Sequence, residues 1–318
     1  MTANPTPPAA KARTSPFPAP GMTLPYLLFR TTPRDRWLLA MIAEHRVLTA
    51  EQITTLAYRT VRSANRRLST LASLRLVERF RTNPGQFGAA PYHYVLGPAG
   101  ALLVAAAHDL TAKQFGYDRA KLLRQAFRPD LPHTTGCNSL LICLAAGHRA
   151  RPERRLAAWW DQDSCQRVWG DVIRPDAYAL LTAPDADGAA AECGFFLEYD
   201  TGTESLTQLA AKMDGYARHL DAYGGHRPVL IQLPDAAREL ALHTRLTTHA
   251  SDQPPVPVAT TAAPEPGEPV WLPLGATTRL APADLPAHYR TAGYRLLEPV
   301  RADPYVRAPI PTPDPDWI

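Results

Sequence analysis

Apolar side chains in residues 33–45, PRDRWLLAMIAEH, fall at Trp37, Leu38, Met41 and Ile42. That spacing predicts an amphipathic helix, and Pro33 suits its first turn. The next segment, VLTAEQITTLAY, predicts a second helix buried through Ile53, Leu56 and Ala57. Thr49 is its N-cap, with Gln52 at the capping-box spacing. A third helix follows in TVRSANRRLSTLASLRLVERF, where Ala64, Leu68, Leu71 and Leu74 share one apolar face. Leu76 to Phe80 and YHYVLG then read as two strands joined by the turn segment FRTNPGQFGAAP. Three helices and a hairpin predict a winged helix-turn-helix over residues 31–98, with the third helix in a DNA major groove.

Further along, GPAGALLVAAAHDL and DRAKLLRQAF read as connecting helices over 99–130, as bridges to a second domain or as a homodimer contact. The core expected over 131–250 opens with the helix HTTGCNSLLICLAAGHRA, with Leu140, Leu141, Leu144 and Ala145 inward. RRLAAWW, CQRVWG, IRPDAYALL and GFFLEYD read as strands. LTQLAAKMDGYARHLDAY is a strongly amphipathic helix with Leu206, Leu209, Ala210, Met213, Tyr216, Ala217 and Leu220 on its face. RPVLIQLP reads as a buried strand, DAARELALHTRLTTHA as a helix and PVWLPLG as an extra strand. The fold class is α/β (α+β overall), with the order α-β-β-β-α-β in its second half.

Composition changes the picture at a few points. A chain of 318 residues with 45% hydrophobic content can bury two cores. Its 33 prolines are about twice the usual share. They gather in residues 1–25, in 251–273 and in APIPTPDPDWI at the C-terminal end. Residues 1–30 therefore read as a disordered tail, and 251–318 as a loop, the extra strand and a second tail. The four cysteines form no CxxC pair and read as small buried residues. No apolar run reaches membrane length and no secretory signal opens the chain, so a cytoplasmic protein without a membrane partner is expected. There is no P-loop and no Gly-x-Ser-x-Gly elbow.

The net charge of +4 is mild, but its distribution is not. Between Arg59 and Arg81 stand seven arginines and one acid, Glu78. Arginines clustered on one helix and its wing are the electrostatic footprint of a protein that reads double-stranded DNA. Arg62, Asn65 and Arg66 are placed for base or groove contacts, and Arg59, Arg67, Arg79 and Arg81 for phosphates. The alternative is a solvated helix face in a dimerisation or scaffold domain.

Two short apolar runs carry acids at their ends: IRPDAYALL at 173–181 and FFLEYDTGTES at 195–205. Side chains alternate along a strand, so Glu198 and Asp200 share a face. With Asp176 from the neighbouring run they offer three oxygen ligands to a hard cation such as Mg²⁺ or Mn²⁺. Glu198 sits within an apolar run, where an unpaired charge is costly. Asp176 also reads as a turn residue after Pro175. Asp200 also reads as a cap for the next helix. Asp161 and Asp163, in WWDQDS, read as a turn rather than as ligands.

This element order, with Pro175-Asp176 on one strand and Glu-x-Asp on the next, resembles the PD-(D/E)xK nuclease superfamily. With a winged helix in front, residues 33–250 resemble the replication-relaxation family of actinobacterial plasmid and mobile-element proteins. They are similar to some relaxases of conjugative plasmids. The resemblance implies that Asp176 and the acid of the next strand hold a metal that polarises a scissile phosphate and activates a water. It also implies a lysine two residues after the second acid, where this chain has Asp200. Lys212, on the following helix, is the candidate replacement, at the edge of the apolar face beside Ser205, Gln208 and His219. His133 and Gln208 are candidate accessory residues. None of the twelve tyrosines stands in a motif for covalent DNA attachment. The function implied is DNA nicking in plasmid replication or transfer, with replication or transfer proteins as partners. The alternative is a non-catalytic DNA-binding regulator with a degenerate nuclease fold.

Overall fold

Helix α1 (Leu24–Arg30) starts behind Thr23, whose hydroxyl accepts from the Tyr26 amide. The computed structural model describes residues 22–82, 90–248, 255–314 and 317. The disorder expected for 1–30 therefore falls largely outside the described residues, and its last part is helical because Leu27 is fully buried. Helix α2 (Pro33–Glu44) follows behind a capping box of Thr32 and Asp35. Its core side chains are Leu38, Leu39, Met41 and Ile42. Trp37 instead turns towards the C-terminal segment. Its Nε1 donates to the Ile310 carbonyl at 2.8 Å, and its ring meets Trp317 edge-on at 5.8 Å.

Strand β1 (Leu48–Thr49) leads into α3 (Ala50–Ala57), where the Thr49–Gln52 capping box is present in full. Helix α4 (Val61–Ser73) buries Ala64, Leu68 and Leu71 and leaves Arg62, Asn65 and Arg66 exposed. Strands β2 (Val77–Phe80) and β3 (His93–Leu96) pair antiparallel, and β1 adds to β3, giving the order β1-β3-β2. Most of the turn between β2 and β3 lies outside the described residues. The chain then runs through α5 (Pro98–Ala106), the short α6 (Arg119–Leu123) and α7 (Leu131–Ala146).

The larger sheet holds β4 (Arg155–Asp161), β5 (Ala177–Pro184), β6 (Ala190–Tyr199), β7 (Val229–Gln232), β8 (Val258–Thr261) and β9 (Leu272–Pro273), in that spatial order. Helix α8 (Gln162–Trp169) joins β4 to β5, α9 (Leu206–Tyr223) joins β6 to β7, and α10 (Ala236–Thr248) joins β7 to β8; α11 (Leu285–Thr291) follows. Strands β4, β5 and β6 form an antiparallel meander. Strands β6, β7 and β8 are parallel, which is why a helix must cross between each pair. The protein is thus mixed α/β.

Two expectations are corrected. CQRVWG is not a strand but most of α8. The Asp161 carboxylate caps that helix, accepting from the Ser164 amide at 2.8 Å, and Cys165 and Trp169 bury one turn apart. The proline-rich stretch after 250 contains β8 as well as the extra strand β9, and both extend the sheet. Of the cysteines, Cys137, Cys165 and Cys193 are buried, whereas Cys143 is exposed.

Alternation along the strands divides the core. Ala177, Ala179, Leu181, Phe195 and Leu197 face α7 and join one apolar cluster that continues into α2, α3 and α4. Tyr178, Leu180, Phe196, Val229 and Ile231 face α8, α9 and α10. Each large side chain buried there contributes about 1.5–3 kcal/mol. Helix α7 also bonds directly to the link before β1 and to α3. Asn138 donates to the Val47 carbonyl at 2.9 Å, and Gln52 donates to the Thr135 carbonyl at 2.6 Å. Among the described residues no helix is long and apolar enough to cross a membrane.

Candidate functional site

Glu198 is the next-to-last residue of β6 and is 2% exposed. Strand parity points it at α9, whose Lys212 and Tyr216 stand one turn apart on the same face. The Tyr216 hydroxyl donates to Glu198 Oε1 at 2.5 Å, and Lys212 Nζ donates to Oε2 at 2.9 Å. Burial, and then the nearby charge of Asp176, push the Glu198 carboxyl up to about 7, against the pull of Lys212 and Tyr216. Burial presses the Lys212 ammonium down, but Glu198, Asp176 and Glu204 outweigh it and hold the group charged. Glu204 completes this pairing, 3.1 Å from Lys212 Nζ. Burial pushes Tyr216 well above its usual range, so it remains a donor.

Asp176 lies just before β5, one step beyond the Ala177–Leu197 pair, and so opposite Glu198. Its amide donates to the Leu197 carbonyl at 3.1 Å. Its Oδ2 accepts from the Tyr199 amide at 2.8 Å and pairs with His133 Nε2 at 3.0 Å. Oδ1 accepts no hydrogen bond among the described residues. The bond to Asp176 raises the pKa of His133 above that of a free imidazole. Tyr199 stands edge-on to the His133 ring at 5.9 Å. Gly136, almost one turn after His133, leaves room for that tyrosine: a Cβ there would lie 2.4 Å from the Tyr199 ring. Asp176, Glu198, Lys212 and His133 are therefore brought together at one rim of the sheet, the end where parallel strands of open sheets present their ligand sites.

Other expected members are engaged elsewhere. Asp200 was expected as a third metal ligand. Its carboxylate instead makes a bidentate pair with Arg238 of α10 and accepts from the Gly202 amide at 2.9 Å. Gln208 was expected beside the site, but its side chain closes the capping box of α9 with Ser205. Among the described residues no group of three or more His, Cys, Asp or Glu side chains is placed to hold a metal ion. Tyr216 is expected on the apolar face of α9, in the family resemblance's pattern of a lysine and a tyrosine on that helix; its bond to Glu198 is the new element, and its place four residues after Lys212 is the available signal. Nothing local in the sequence pointed to Arg238.

The arginine-rich surface divides as well. Arg62, Asn65 and Arg66 project outward from α4. Arg67, expected at a phosphate, is tied inward. Its Nε and Nη2 donate to both oxygens of the buried Asp35 at 2.9 and 2.6 Å, and Nη2 also donates to the Arg30 carbonyl. Burial pushes Asp35 up, but Arg67 and the Thr32 bonds outweigh it and keep the carboxylate ionised. Arg79 and Arg81 both lie over the Tyr92 ring, at 4.4 and 3.8 Å. Arg59 is exposed just past α3, close enough to Arg149 for their charges to repel.

A family model described as replication-relaxation matches residues 39–229, more than half of the chain. No curated protein and no solved structure matches. The matched span runs from α2 to the first residue of β7, and so takes in α4, His133, Asp176, Glu198 and Lys212. The chain belongs to the replication-relaxation family.

Proposed function

We propose that this chain binds double-stranded DNA through α4 and the β2–β3 hairpin, read as a winged helix. We further propose that it nicks DNA at the rim formed by Asp176, Glu198, Lys212 and His133, in plasmid or mobile-element replication or transfer. Family membership supports the replication role. The observation that carries the catalytic reading is Glu198. A carboxylate this buried, raised by a second carboxylate and held by a lysine and a tyrosine, has the perturbation typical of functional sites.

Asp176 and Glu198 are the two carboxylates that this rim could offer a divalent cation, with Lys212 and Tyr216 already on the Glu198 oxygens. Asp176 and Glu198 sit opposite each other, and the charge of one raises the other. Mg²⁺ needs only one or two carboxylates, because it keeps waters and takes the remaining oxygens from a phosphate. Asp176 and Glu198 would hold it, and when bound it supplies Lewis acidity and an activated water. Lys212, kept cationic by its acids, is the group placed to stabilise charge developing on the phosphate. His133, paired with Asp176, holds a proton at Nε2 beside the same rim. Asp200 and Arg238 act next to it as a structural pair that fixes the end of β6 to α10.

The test is supercoiled plasmid incubated with Mg²⁺ or Mn²⁺, with and without chelator. Metal-dependent nicking that is lost in Glu198→Gln is the expected result. Equal nicking by that variant would remove Glu198 from the mechanism. One observation favours a second reading, a DNA-binding module with a degenerate core. The position two residues after Glu198 is Asp200, and it is fully engaged by Arg238. That reading expects salt-sensitive DNA binding, no nicking and no thermal stabilisation by Mg²⁺.

A further inference from the structure

Beside α4, and separate from the rim of the large sheet, a cleft of about 510 Å³ opens between the start of α2 and α4. Arg34, Tyr58, Ser63, Arg66, Thr70 and Trp317 line it. The acid in its wall, Asp35, is already satisfied by Arg67. Arg34 and Arg66 have no acidic partner among the described residues, so among those residues the cleft presents two guanidinium groups without a paired carboxylate. The Arg34 guanidinium lies over the Tyr58 ring at 5.4 Å, which holds it at the cleft. Tyr58 itself is 5% exposed, and its hydroxyl has no hydrogen-bond partner among the described residues. A buried hydroxyl without a partner is costly and rare in a folded chain. A donor lacking an acceptor, next to two guanidinium forks with no acidic partner among the described residues, is the complement of a phosphate.

We propose that this cleft seats a phosphate of a nucleic-acid backbone, with Arg34, Arg66 and the Tyr58 hydroxyl as its donors. This rests on the DNA-binding reading and deepens it. A duplex lying on the exposed arginines of α4 brings its backbone past the α2 side of that helix, and the seat fixes its register without reading a base. Trp317 also lines this seat.

The experiment measures binding of a long random-sequence duplex by the full chain as a function of salt, for wild type, Arg62→Ala, Arg34→Ala and Tyr58→Phe. Thermal unfolding is followed in parallel. Arg34→Ala is expected to reduce the salt slope by about one. Tyr58→Phe is expected to weaken binding about tenfold while leaving the melting temperature unchanged or higher, because it removes an unsatisfied hydroxyl. A merely structural tyrosine would not separate those two readouts. If wild type binds with a steep salt dependence, Arg62→Ala weakens it, and Arg34→Ala and Tyr58→Phe match wild type, the seat is overturned and the DNA reading stands. If wild type shows no salt-sensitive binding, both fall. A final arm adds inorganic phosphate at constant ionic strength. Stabilisation of wild type but not of Tyr58→Phe, with DNA affinity equal in the two, would assign the cleft to free phosphate and overturn the backbone assignment.

Discussion

Helix α4 and the Glu198 rim both concentrate charge, and they treat it in opposite ways. Arg62 and Arg66 stand in water, where each charge is cheap to hold and interacts weakly with its neighbours. Glu198 is buried, and every neighbour registers: Asp176 raises it, while Lys212 and Tyr216 pull it back. The first arrangement suits a surface tuned by ionic strength. The second suits a centre tuned by protonation and single side chains. Arg67 shows that location, not residue type, decides between them, because it belongs to the same helix as Arg62 but bonds inward to Asp35.

Substitutions can separate the two regimes. On the proposed reading, in which Glu198 would help to hold a metal, the largest effect is expected for Glu198→Gln: metal-dependent nicking should fall about a hundredfold or more, since such a ligand carries several kcal/mol of transition-state stabilisation. A plasmid-nicking time course reads it. Next comes Arg67→Met, which leaves Asp35 buried without its partner and should cost about 3 kcal/mol in urea unfolding. A loss below about 0.5 kcal/mol would place Arg67 with the surface arginines after all. Lys212→Met should cost less, about 1–2 kcal/mol, because the lysine is partly solvated and only part of the buried-pair penalty applies.

The pH dependence sharpens the contrast. The folded pKa of Glu198 is raised from 4.5 to about 7. The folded state therefore binds the proton more tightly, and stability present below about 4.5 is lost as pH rises through about 7. The stability difference between wild type and Glu198→Gln should change across that window and be flat above it. Glu44 is raised to about 7 in the same way, by burial and by Asp161, so Glu44→Gln removes a second, independent part of the slope. The smallest effect is expected for Arg62→Ala: a shift in stability within about 0.5 kcal/mol, and a DNA salt slope lower by about one. Calorimetry together with a salt titration would check both.

Local signals were the legible ones. The Thr49–Gln52 capping box and the Ala64, Leu68, Leu71 stripe lie within a few residues and fix α3 and α4 without help from the rest of the chain. That Glu198 would be buried and paired was legible, because an acid inside an apolar run has few inexpensive explanations. Pairs distant in sequence were not legible. Asp35 meets Arg67 across 32 positions, and Asp200 meets Arg238 across 38. In each case the sequence shows two ordinary surface residues, and only the packing of helices makes them partners. The α8 segment misled because Val168 and Trp169 look like part of a strand, whereas the capping carboxylate of Asp161 decides the conformation from the preceding strand.

Strand β4 is one of the two outer strands of the large sheet, and Thr312 of the C-terminal segment meets it at Leu156. The Thr312 hydroxyl accepts from the Leu156 amide and donates to the Leu156 carbonyl, both at 3.0 Å. An unpaired outer strand is a template on which other chains can add. Thr312 thus acts as a blocking group at that position, and a protein cut back before it is expected to aggregate edge to edge more readily than the full chain.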